Sequence, residues 1–108
     1  MTFAFLLTSG PDRQDRYTLA HLAKAAIKQG HQVRIFLMGD GVVHRDWFAQ
    51  QFAKEAFPPE QQGAFELAIC AHNAIQCGIA EDESDIVWGS QADWARYVNQ
   101  ADRVITFG

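Results

Sequence analysis

The feature that most restricts this chain is an alternation of short apolar runs with longer stretches of helical period. Residues 2–8, TFAFLLT, are almost wholly apolar and stop at Ser9, Gly10 and Pro11. A short continuous apolar run closed by turn residues is the pattern of a strand buried on both faces, as in a parallel sheet. Residues 12–30 change period. Leu19, Leu22, Ala23, Ala26 and Ile27 form a helical stripe, Asp12 and Asp15 suit the positive end of the helix dipole, and Gly30 suits the stop.

The alternation continues. Residues 31–39, HQVRIFLMG, read as a second strand that ends in GDG. Residues 44–56 carry Trp47, Phe48, Phe52 and Ala53 and predict a helix, closed by Phe57, Pro58 and Pro59 because proline disfavours helical geometry in the residue before it. EQQG is a loop, FELAIC (65–70) a third strand and AHNAIQC (71–77) a short helix capped by Gly78. The acidic run Glu81, Asp82, Glu83 and Asp85 reads as a solvated turn, and IVWG as a short fourth strand. Residues 90–100 predict a helix with Ser90 as N-cap and Asp93 at N3, a capping box with Asp in the Glu position. DRVITFG supplies the last strand. Strands alternating with helices predict a three-layer α/β/α fold, with a mostly parallel sheet of four to five strands. The aromatic residues Trp47, Phe48, Phe52, Trp88 and Trp94 read as core, some of them covering an oligomer interface.

The 108 residues are expected to form a single domain, 1–108, and 48% hydrophobic residues suffice for a core without cross-links. The net charge is −4, and the nine Lys and Arg are scattered. Phosphate binding needs clustered cations, so the pattern argues against a nucleic-acid surface. The opening MTFAFLLTSG has no basic n-region and reads as a strand. No run approaches the ~18 apolar residues of a membrane span. A cytoplasmic protein is expected.

In a parallel sheet, ligands meet the carboxyl ends of the strands. TSGP, GDGV and CAHN map to that edge, which makes Ser9, Gly10, Gly39, Asp40 and Gly41 candidate crevice residues. Asp40 also fits a plain turn. Cys70 stands at the same edge. Only Cys70 and Cys77 are cysteines, and no disulfide framework or C-x₂-C zinc spacing is present. Seven helical residues span roughly 10 Å, whereas bridged Cα atoms lie within about 7 Å. Cys70 is then either a small core residue or a reactive thiol at the first turn of a short helix, where amide dipoles favour the thiolate. His72 is a surface residue or an assisting proton carrier. Cys77 reads as core or helix-end packing. His21 and His44 have no visible partner. GDG lacks the later glycine of a dinucleotide motif, and SGPDRQD has no Gly-Lys-Ser/Thr.

The segments LLTSGP, IFLMGDGV, ELAICAHNAIQCGI with its acidic turn, and WARYVNQADRVITFG together resemble the DsrE family of small sulfur-relay proteins, DsrE/TusD-like, over nearly the whole length. The resemblance implies that Cys70 carries sulfur as a persulfide and passes it on, with no metal and no organic cofactor. It implies sulfur donor and acceptor proteins as partners, no direct nucleic-acid or membrane contact, and a homo- or hetero-oligomer from dimer to hexamer. The pathways implied are tRNA thiolation or sulfur oxidation. The alternative is a non-catalytic subunit of the same fold, or a small-ligand or partner-binding module, with Cys70 as packing. A nucleotide or flavin binder is a third reading.

Overall fold

A computed structural model describes residues 1–82 and 84–108; Glu83 of the expected acidic turn lies outside them. Among the described residues the elements alternate as β1 (Thr2–Leu7), α1 (Asp15–Lys28), β2 (Gln32–Leu37), α2 (Arg45–Gln51), β3 (Phe65–Cys70), α3 (Ala71–Gln76), β4 (Val87–Gly89), α4 (Gln91–Gln100) and β5 (Arg103–Phe107). Short 3-10 turns at Gly39–His44, Lys54–Ala56 and Pro59–Gln61 join them.

The sheet order is β4-β3-β2-β1-β5, and every neighbouring pair is parallel. From β1 to β4 each step moves one strand in the same direction. Right-handed crossovers therefore put α1, α2 and α3 on one face. The step from β4 to β5 runs back past the whole sheet and puts α4 on the other. Side chains obey this division. Phe5, Leu7, Val33, Ile35, Leu37, Leu67 and Ile69 pack with Leu19, Ala23, Ile27, Phe48 and Ala74, while Ala4, Phe36, Ala68 and Cys70 pack with Tyr97. The three-layer α/β/α expectation holds. The small side chains Ala4 and Ala68 leave room for the ring of Tyr97, which meets Phe36 edge-on at a centroid distance of 6.4 Å.

Two helices differ from their expected form. The buried stripe of α1 is Leu19, Ala20, Ala23 and Ile27, whereas Leu22 is 45% exposed. Leu22 is turned toward the β5 end of the sheet, where it borders a shallow depression with Phe3, Phe5 and Ile105. The helix expected over 44–56 ends at Gln51, because Phe52 leaves the helical path and its ring stacks on Phe65 at 4.4 Å. Trp47, Trp88 and Trp94 are half-buried, and only Phe48 and Phe52 of the five aromatics named above are fully enclosed.

Both helix stops and the predicted cap form as the sequence implies. Gly30 and Gly78 take positive φ, 88° and 76°. The Ser90 hydroxyl accepts from the Ala92 amide at 3.2 Å, and the Asp93 carboxylate accepts from the Ser90 amide at 2.8 Å.

Candidate functional site

The carboxyl edge is assembled by backbone contacts that leave no room for a side chain at Gly41. The Met38 amide donates to the Leu7 carbonyl at 3.1 Å, and the Gly41 amide donates to the Met38 carbonyl at 3.0 Å. This folds the GDG turn back over the end of β1. Gly41 is buried, and a Cβ there would overlap the Leu7 carbonyl. Gly39 has φ +58°, a conformation that favours glycine. Gly10 is buried beside the Asp40 Cβ, with 3.5 Å to its own notional Cβ. Asp40 itself is exposed.

Two residues that sequence reading gave no role tie these loops together. His44 is 1% exposed. Its Nε2 lies 3.0 Å from the Ser9 carbonyl, which can only accept, so that nitrogen carries the hydrogen. Its Nδ1 faces the Arg16 guanidinium at 3.5 Å. The Ser9 hydroxyl in turn donates to Asp15 at 2.8 Å, on the first turn of α1. Asn73 does the matching work on the other side: its Oδ1 accepts from the Gly39 amide at 2.9 Å, tying the GDG turn to α3. Neither partner is near in sequence, which is why neither residue announces itself there. Asn73 falls within CAHN, and that proximity to Cys70 was its one available signal.

Ser9, Gly10, Gly39, Asp40 and Gly41 therefore converge at one edge of the sheet. The side chain of Cys70 does not join them. It caps the N-terminus of α3 with backbone φ −70° and ψ 112°, and makes no capping hydrogen bond. By strand parity its sulfur lies on the α4 side, clustered with Ala4, Phe36, Ala68 and Tyr97 and flanked by Met38 and Trp94. It is 6% exposed. The loop residue Val42 packs on the opposite face with α1 and α2. His72 is exposed on α3. Cys77 ends α3 and is exposed, bordering a depression of about 260 Å³ with Val43, Arg45, Asp46 and Ile79. Both cysteines are free thiols.

A second polar group lies beneath α4. Glu66 on β3 accepts from the Tyr97 hydroxyl and from Arg96 at 3.4 Å. Tyr97 is fully buried. Burial, then the bond to Glu66 and the carboxylate's negative charge, push the phenol well above its usual 10.0. The pair pins the middle of α4 to the sheet. Among the described residues, no three His, Cys, Asp or Glu side chains gather in a geometry that could hold a metal, and no helix is long and apolar enough to cross a membrane.

A family model described as the DsrE/DsrF-like family matches residues 1–107. No curated protein matches the sequence. Among solved structures, the crystal structure of the YchN protein from E. coli is similar, with a TM-score of 0.78 over 99% of both chains at 17% identity. At that identity the likeness speaks for the fold.

Proposed function

The chain belongs to the DsrE/DsrF-like family, and on that premise we propose that it is a small cytoplasmic sulfur-relay protein that takes up sulfur as a persulfide on Cys70 and passes it to an acceptor thiol. The observation that carries this reading is the position of Cys70. It is the last residue of β3 and the N-cap of α3, on the sheet edge where the loops converge. The chemistry needs no group beyond thiols. The Cys70 thiolate attacks the outer sulfur of a donor persulfide, the donor S–S bond breaks, and the donor leaves as a thiolate. The outer sulfur, with its proton, is now bonded to Cys70. The acceptor thiolate repeats the step in the other direction, with no net oxidation or reduction. Exposed Val98 on α4 and Val104 on β5, on the same side of the sheet, support work within an oligomer of like or related chains.

Incubation with a persulfide donor should add one sulfur mass to the intact protein. The gain should disappear with reductant and be absent in Cys70→Ser but present in Cys77→Ser. Sulfur retained by Cys70→Ser would move the activity to the exposed Cys77 and end the reading as stated.

A second reading is favoured by the 6% exposure of Cys70. Here the chain is a non-catalytic subunit or binding module, and the thiol is core filling. Cys70→Ala then lowers stability and leaves partner binding unchanged, and no persulfide forms on Cys70 in the folded protein.

A further inference from the structure

Cys70 lies on the α4 side of the sheet in a cluster with Tyr97, and Trp94 and Met38 pack against that cluster. Cys70 pairs in register with Gly89, the last residue of β4. The Asp93 side chain lies directly over Gly89, so close that a Cβ there would fall 2.6 Å from the carboxylate. Gln91, the first residue of α4, extends its amide to within 3.9 Å of the Met38 sulfur. Met38 follows the last residue of β2, and β3 lies between β2 and β4. A contact from Gln91 to Met38 must therefore cross the end of β3, where Cys70 sits. Trp94 closes the inner side, its ring 6.0 Å from Phe36.

The middle and the first turn of α4 are held differently. Its middle is fixed by Tyr97 and Arg96 on Glu66. Its first turn is held by the Ser90–Asp93 capping box and the Gln91–Met38 contact, and Ser90, Gln91 and Ala92 are exposed. Ser90, Gln91 and Ala92 bury little of their own, which is the condition for opening locally while Trp94, Tyr97 and the rest of the fold stay in place.

We propose that the first turn of α4 is a lid on Cys70, opened to admit a donor or acceptor thiol, with Gln91 and Met38 as its latch. This rests on the reading of Cys70 as the sulfur carrier. Gln91 and Met38 are positioning residues: they control access to the sulfur without taking part in the exchange.

The test uses the full chain in a Cys77→Ser background, so that one thiol remains. The rate of Cys70 alkylation by iodoacetamide is followed by intact mass, and the thermal midpoint is measured alongside. Ser90→Ala removes the cap and should raise the rate roughly fivefold. Gln91→Ala should raise it to a similar degree. Gln91→Met, which keeps an unbranched arm of comparable length against Met38, should stay within about twofold of the parent. A cap and latch with a purely structural role would change the rate only in step with the midpoint. If all variants alkylate at the parent's rate, or if rate follows midpoint alone, the lid is overturned while Cys70 remains available as a carrier. If Cys70 reacts in none of the folded variants and only in denaturant, the lid and the carrier reading both fall.

Discussion

Tyr97→Ala should lower the unfolding free energy by about 4 kcal/mol, the order found when a large buried aromatic ring is truncated. Tyr97 is the one fully buried side chain of α4. Its loss leaves Phe36, Ala68 and Cys70 facing a cavity and takes one donor from Glu66. Tyr97→Phe isolates the hydroxyl. That bond has a charged acceptor, but Glu66 keeps 34% side-chain exposure and solvation by water. A loss of roughly 1.5 kcal/mol is expected, at the low end for charged hydrogen bonds. Denaturant titration with linear extrapolation separates the two variants. The same residue sets a pH dependence. The phenol's affinity for its proton is raised in the folded state from a usual value of 10.0. Below that pH both states keep the proton and the stabilisation is complete. Above it the unfolded chain ionises first, so stability falls with rising pH. The fall should be shallower in Tyr97→Phe, and equal slopes for the two proteins would refute the assignment.

Gly41→Ala should cost about 3 kcal/mol, the upper range for forcing extra volume into a packed site. The added methyl meets the Leu7 carbonyl and comes within 3.3 Å of the Thr8 Cα. These are backbone atoms at the end of β1, a strand paired on both sides, and they cannot swing aside. Gly30→Ala is the matched comparison. Nothing lies within 4 Å of its Cβ position, but its φ is +88°. Strain alone should cost roughly 1 kcal/mol there. Thermal midpoints should fall further for Gly41→Ala, with lost coupling between the GDG turn and β1. Equal effects at both glycines would mean that the turn moves away from β1 at little cost.

The sequence carried the architecture because periodicity is local. β1, β3 and α4 could be placed from apolar spacing and from the Ser90–Asp93 cap, since each depends on neighbours a few residues away. The spacing of Phe52 from Phe48 is helical, but its stacking on Phe65 is a tertiary contact that overrides the pattern. The candidate site divided along the same line. The convergence of Ser9, Gly10, Gly39, Asp40 and Gly41 followed from topology. The roles of His44 and Asn73 did not, because their partners, Ser9 and Gly39, stand 35 and 34 residues away. The direction of the Cys70 side chain was legible in principle. It shares a face with Glu66 and Ala68 by alternation, and the face belongs to α4 once the return crossover is recognised.

That return crossover also orders events in time. β1 pairs with β2 through Phe3 and Val33, but its other side waits for Arg103. During synthesis β1 therefore keeps one row of amides and carbonyls unpaired until nearly the whole length described here has emerged. Such an open flank is a template for strand addition from any neighbouring chain. Long-range closure of this kind slows folding, because the entropy of the intervening loop is lost before the contact forms. Pairing of β5 with β1 closes that flank.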